Sequence, residues 1–460
     1  FELLKAAFLG VVEGITEWLP ISSTGHLILL EGLVPFKNVS QDFFEMYEVV
    51  IQLGAIIAVL LLFFKKLWPF QNKKTLIGPE RYINLKSINL WLKVLVASLP
   101  AAIIGLPLDD ILDSYLYNKE TVSLYVDSLI RNFRAFSLEN GKKKIVSVYF
   151  GGGTPILLSP SQFDLLLSSL SEYFSFSEDI EITTEANPSM SDKNKFSEYR
   201  KTGLNRISFG VQSFNETELK SLQRTHTAEG AIRAIENAYS AGFDNISADI
   251  MLGIPHQTKE SLSSTLETAG DLPLSHISAY MLKIEEETPF NSEEIIKTLP
   301  DDDTTAELYL HTIETLEKKG FLQYEISNFA KKGRQSRHNL LYWESADYIG
   351  FGAAAHSCYL GSRFAVPSDI TSFTQNSIQG KIITDENPCD FSEYAMLRLR
   401  LTEGLSLKDA EKRFSFDKET ILHRAEKFRK AGLVNVSDDV ISLTKNGFLV
   451  SNGIISDLVL

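Results

Sequence analysis

Two acids four residues apart, Glu13 and Glu17, precede Pro20, the hydroxyls of Ser22, Ser23 and Thr24, and the imidazole of His26. On a helix this spacing puts both carboxylates on one face, and the proline ends that helix just before the hydroxyls. The surrounding sequence is apolar, and ionisable groups at membrane depth are costly, so the cluster marks a functional site or, failing that, a cap facing water. A second set begins at Gly151, Gly152, Gly153 and Thr154, directly after the apolar run 145–150. A buried strand that ends in glycines lets backbone amides approach a small charged ligand and adopt positive φ. Alone it is as readily a tight turn, and its spacing is not the dinucleotide fingerprint.

The elements that must position these groups differ between the front of the chain and the rest. Residues 49–64 and 90–108 are nearly continuous apolar runs, and the loop between them carries Lys65, Lys66, Lys73, Lys74, Arg81 and Lys86. They predict an all-α transmembrane segment with that loop facing the cytoplasm. Glu13 and Glu17 interrupt the first apolar stretch, which disfavours a cleavable signal peptide. From residue 125 onward short apolar runs alternate with amphipathic helices. Strands are predicted over 145–150, 180–184, 206–210, 245–251 and 276–282, with helices over 162–173, 192–202, 216–222, 228–241 and 259–269. This is a parallel α/β pattern, and right-handed crossovers close it into a full or partial (β/α) barrel whose ligands lie at the C-terminal strand ends. Glu185 and Asn187 follow the second strand, Gln212 and Ser213 follow the third, Asp249 lies in the fourth, and Arg224 and His226 come one helix beyond the third. Each alone is an ordinary cap or turn residue. On one rim they make a pocket suited to an amino acid joined to a nucleoside, with amides for the amino-acid end and carboxylates for ribose hydroxyls.

Composition bounds the partners. The formal net charge of -14 argues against nucleic acid. Cys358 and Cys389 are the sole cysteines, which excludes a disulfide framework and points to a reducing compartment. The change from charge-poor to charged sequence predicts a boundary near 118. We expect domains at 1–118, 119–290, 291–388 and 389–460.

Two resemblances follow from these residues. EGITEWLPISSTGHLIL, with the apolar runs after it, resembles the first part of bacterial undecaprenyl pyrophosphate phosphatase. The resemblance implies that Glu13 and Glu17 bind a divalent metal, Mg or Ca, or assist acid–base chemistry. It further implies that Ser23 and His26 act at the pyrophosphate of a membrane lipid. The Pro-Gly-x-Ser-Arg-Ser motif of that family's second half is absent, since Gly361-Ser362-Arg363 lacks the proline and lies outside any apolar run. The phosphatase is therefore expected to be incomplete.

YFGGGTP, EANP, RISFGVQSF, LQRTH, ADIMLGIPHQT, YEISNFA and RHNLLYW, in this order, resemble the radical S-adenosylmethionine family of oxygen-independent coproporphyrinogen III oxidase and the related haem chaperones. The last two motifs resemble the chaperone branch more. The resemblance implies that Gly152, Gly153, Thr154, Glu185, Gln212, Arg224 and Asp249 contact S-adenosylmethionine, and that His338 belongs to a motif linked to haem handling. It also implies a 4Fe-4S cluster held by Cys-x-x-x-Cys-x-x-Cys on the strand before the helix at 125–136, but here that position holds the apolar front sequence. Without those ligands the radical reaction is expected to be absent. The tail resembles a winged-helix-like module. The resulting expectation is a haem-chaperone-like body binding S-adenosylmethionine and haem or porphyrin, cytoplasmic and tethered to the cell membrane through 1–118. The alternatives are an undecaprenyl-diphosphatase or an inactive fusion, whether arising by gene rearrangement or by sequence assembly.

Overall fold

The computed structural model describes residues 118–190, 192–284, 290–376 and 378–459, with scattered positions among the first 117. The chain divides into two compact units, Phe1–Asn118 and Lys119–Leu460. In the first, Phe64 and Trp68 stack with ring centroids 5.1 Å apart. Among the described residues no helix is long and apolar enough to cross a membrane. The two predicted spans fall largely outside the described residues, and Glu13, Glu17, Ser23 and His26 fall wholly outside them.

The second unit opens with helix α1 (Asn118–Asn140) and then alternates strand and helix: β1 (Lys144–Phe150), α2 (Pro160–Tyr173), β2 (Ser175–Ala186), α3 (Lys193–Lys201), β3 (Arg206–Gln212), α4 (Glu216–Ser221), α5 (Ala228–Ser240), β4 (Ile246–Leu252), α6 (Lys259–Asp271) and β5 (His276–Met281). Strands β1 to β5 pair in parallel and in chain order. After α7 (Asp302–Lys318), β6 (Leu322–Gln323) and β7 (Asn328–Ala330) add antiparallel strands beside β5, completing a seven-stranded sheet. The predicted partial barrel is thus present, with element bounds close to those the sequence pattern gives except for β2, which starts at Ser175 where 180 was expected.

Why these helices lie where they do is legible in their buried stripes. Phe163, Leu166, Leu167 and Leu170 of α2, Ala231, Ala234, Ile235 and Ala238 of α5, and Leu262, Thr265, Leu266 and Ala269 of α6 each repeat at i, i+3, i+4, i+7. That spacing places one face of each helix on the sheet. Burying a Leu or Phe completely contributes about 1.5–3 kcal/mol, so these stripes fix each helix on its strand pair. The helix starts are equally local. Ser159 and Gln162 form a capping box at α2, Thr258 and Ser261 form one at α6, and Thr227 caps α5.

Strand β1 behaves differently. The inner strands β3 and β4 are mostly buried, whereas β1 is half-buried from Ile145 to Phe150. Among the described residues it is the sheet edge, hydrogen-bonded to β2 on one side. Beyond the barrel come α8 (Arg337–Trp343) and an antiparallel sheet of β8 (His356–Tyr359), β9 (Ser362–Ala365) and β10 (Ile382–Asp385). The tail holds α9 (Phe391–Arg398), α10 (Lys418–Lys430) and α11 (Ser451–Val459) around the small sheet of β11 (Leu405–Ser406), β12 (Val434–Ser437) and β13 (Val440–Leu443).

Candidate functional site

Alternation along β1 sends Phe150 outward, edge-on against Phe163 of α2, and sends Ser147 and Tyr149 to the other face. There they meet His338. Its Nδ1 is hydrogen-bonded to Ser147 Oγ at 3.0 Å, and its ring stacks on Tyr149 at 4.9 Å and 18°. Its Nε2 is hydrogen-bonded to Tyr342 Oη, one helical turn on, at 3.0 Å. The helix carrying His338 is held at its start by Glu181 of β2, whose carboxylate accepts from the backbone N–H groups of Arg337 at 3.2 Å and His338 at 3.0 Å. An anion there also complements the helix dipole.

Tyr149 continues the network upward. Its hydroxyl donates to Glu185 Oε1 at 2.8 Å, at the C-terminal end of β2. Burial and the Glu185 charge push the phenol well above its ordinary range, so it remains a donor. Gly151 follows immediately, and a Cβ there would stand 2.5 Å from Tyr149 Cε1 and 3.0 Å from Glu185 Oε1. Gly152 and Gly153 have φ of 83° and 95°, the left-handed region that favours glycine. The first strand therefore ends in a loop that has no room for side chains at one position and positive φ at the next two. Replacing Gly151 by Ala should displace Tyr149 or Glu185 and cost about 1–3 kcal/mol, measured by urea unfolding.

The other rim residues are placed unequally. Gln212 adopts φ 68° at an irregularity in the β3–β4 pairing, an uncommon conformation for a residue with a side chain and one that clusters at ligand sites. Asp249 of β4 accepts from Ser208 Oγ at 3.3 Å, and burial pushes its carboxyl up to about 6 against the opposing effects of Ser278 and Arg206. Thr154 is exposed and its side chain makes no cap to the short turn after it. Arg224 is exposed in the loop between α4 and α5. His226, beside it, is buried and hydrogen-bonded to the Val211 carbonyl at 3.0 Å, so it braces the end of β3.

Sequence reasoning missed Arg206, at the start of β3. It is 2% exposed, and its Nε has no hydrogen-bond partner. Its charge opposes protonation of two histidines. His276, fully buried between Ser247 Oγ and Tyr324 Oη at 2.8 Å each, is driven well below its usual range by burial and then by Arg206. His338 is pushed down to about 4 by burial and then by Arg206. Ser147, Tyr149 and Glu181 were missed as well. A signal existed, because polar residues at alternate positions of an apolar strand mark the face turned to a polar interior.

Along the open edge of β1 runs a groove of about 720 Å³. Leu129, Phe133 and Phe136 of α1, with Phe174 and Phe351, give it apolar walls, while His338 and Tyr342 line it and Lys143 and Lys144 stand at the strand's start.

Comparison with known proteins defines the class first. Residues 116–269 match the Radical SAM superfamily and 391–450 match the HemN C-terminal domain. The solved coproporphyrinogen III oxidase of Escherichia coli, described as a radical SAM enzyme, has the same fold, with a TM-score of 0.63 at 20% identity over 74% of this chain and 84% of its own. The chain is 32% identical to heme chaperone HemW of Lactococcus lactis over 75% of its length and 92% of the relative. It is 31% identical to HemW of Bacillus subtilis over 74% and 92%, and 32% identical to HemW of Escherichia coli over 68% and 84%. The chain belongs to the heme chaperone HemW family. Residues 6–130 match a different family, bacitracin resistance protein BacA, consistent with a fusion.

The groups such a body implies fit unequally. The glycine loop, the strained Gln212 and the carboxylates of Glu185 and Asp249 suit the amino-acid and ribose parts of S-adenosylmethionine. The neutral imidazole of His338 on an apolar wall would suit haem iron once its Nε2 releases Tyr342. A radical-SAM cluster takes three thiolates, and the sequence holds two cysteines, placed in β8 and just before α9. The residues present do not fit it.

Proposed function

We propose that the body binds haem at His338 in the groove beside β1 and S-adenosylmethionine at the rim above it, without radical activity. The observation that carries this reading is the neutral, half-buried His338 on the wall of an apolar groove that has lysines at one end. Apolar walls suit a porphyrin's faces, lysines suit its carboxylates, and an unprotonated imidazole suits its iron. The network from Tyr342 through His338 and Tyr149 to Glu185 connects this groove to the rim. Haemin titration followed by absorbance tests the groove, and an unchanged spectrum rejects it. Calorimetry with S-adenosylmethionine tests the rim, where Glu185→Gln should weaken binding roughly tenfold through a lost charge-assisted bond. With a chemical reductant, no cleavage of S-adenosylmethionine is expected, and a deoxyadenosine product would refute the no-cluster reading.

The family match over residues 6–130 favours a second reading for the front. There Glu13 and Glu17 would hold a divalent metal that neutralises phosphate charge, with Ser23 and His26 at the pyrophosphate of an undecaprenyl lipid. The front would also hold the cytoplasmic body at the cell membrane. Phosphate release from that lipid, abolished in Glu17→Ala, tests it.

A further inference from the structure

The two cysteines are 31 residues apart in sequence, yet their Sγ atoms lie 3.9 Å apart. Cys358 is buried in β8, and Cys389 is half-buried at φ 64° immediately before the N-cap of α9. Both backbones are held. Glu393 of α9 accepts the Cys389 N–H at 2.6 Å with one carboxylate oxygen and pairs through the other with Arg363 of β9, the strand next to β8. A disulfide needs sulfurs about 2.05 Å apart, so closure takes a combined movement of about 2 Å, within the reach of side-chain rotation. The contact is absent from the rim and the groove described above and was invisible in the sequence, where the thiols stood isolated.

We propose that Cys358 and Cys389 form a reversible dithiol/disulfide couple, oxidised by exchange with a low-molecular-weight disulfide. The Cys389 thiolate, on the more exposed residue, attacks one sulfur of the reagent, breaking its S–S bond and releasing one thiolate. The Cys358 thiolate then attacks Cys389 Sγ, forming the internal bond and releasing the second. The two protein thiols give up two electrons and two protons, and the reagent becomes two thiols. Burial, Cys358 and Glu393 push the Cys389 thiol up to about 11 against the pull of Arg363, so the first attack is slow at neutral pH. Tyr348, paired by backbone with Cys358, packs edge-on at 4.7 Å against Tyr342, the partner of His338. The new bond would thus lock the segment beneath the groove, but its formation does not depend on haem binding there.

The test uses the full chain, reduced and then incubated with oxidised glutathione. Titratable thiols should fall from two to none. A non-reducing digest should show the Cys358 and Cys389 peptides joined, with a mass about 2 Da below their sum. Dithiothreitol should restore both thiols. The oxidised form should melt a few degrees higher, since the link closes a loop in the unfolded chain. Cys358→Ser should instead stop at a stable glutathione adduct on Cys389. Two thiols persisting in the unmodified chain, a stable adduct there, or a link only between separate molecules would each overturn the proposal, and none of these readings depends on the variant folding.

Discussion

Replacing His338 by Ala should lower haemin affinity roughly 100-fold, because it removes the imidazole that would meet iron and leaves the apolar walls and the lysines at one end. The pH profile separates ligation from packing. In the fold the imidazole is pushed down to about 4 by burial and by Arg206. It therefore stays neutral well below the ordinary histidine range, and binding should hold from pH 8 to about 5 before failing near 4. A histidine with an ordinary value would lose ligation near 6.5. The same shift acts on stability: between the two values the unfolded chain binds more protons, so stability from this group is present above about 6.5 and is lost as pH falls through about 4. Tyr342→Phe removes the hydroxyl that Nε2 must release before it can meet iron, so it should leave haemin binding undiminished. Absorbance titration of the three proteins decides the matter, and equal affinities for unmodified chain and His338→Ala would remove His338 from the site.

The second large effect is on stability and falls on Asp249. Its carboxyl is pushed up to about 6, mainly by burial, with Ser278, Arg206 and Ser208 opposing and Glu185 adding to the rise. The sign is opposite to that of a salt-bridged acid. Between the unfolded value near 3.8 and about 6, the folded chain binds more protons, so stability falls as pH rises through this window. Asn cannot ionise and avoids that loss. Asp249→Asn should stabilise the body by on the order of 2–3 kcal/mol at pH 7.5, less whatever its bonds to Ser208 and Ser278 contribute, and should give nothing comparable at pH 4. Urea unfolding at the two pH values measures this, and an equal difference at both would show that ionisation is not the cause. The same variant should bind S-adenosylmethionine less well, placing a carboxylate that costs stability at a ligand position.

The agreement between pattern and fold has a physical basis. Strands β1 to β5 and helices α2 to α6 were legible because each element buries one face, and burial writes itself into sequence at period 2 or 3.6. The positions of Glu185 and Gln212 at C-terminal strand ends were legible because parallel strands put those ends together, whereas Asp249 lies in the middle of β4. The sheet of β8, β9 and β10 was not, since its strands are four residues each, and Ile382 and Ile383 of β10 are both exposed. Arg206 gave no signal, because a charged residue opening a strand normally faces water.

By itself the sequence determined the order of elements, the glycine loop of SVYFGGGTP and the lack of a three-cysteine motif, since these are properties of neighbours in the chain. Tertiary structure alone decided three things. It set Ser147 against His338 across 191 residues, it left β1 as the sheet edge with a groove beside it, and it brought Cys358 to Cys389. The reason is that periodicity records which face of an element is buried and says nothing of what it is buried against. Partners distant in sequence are chosen by how whole elements pack, and in this chain those choices made the candidate site.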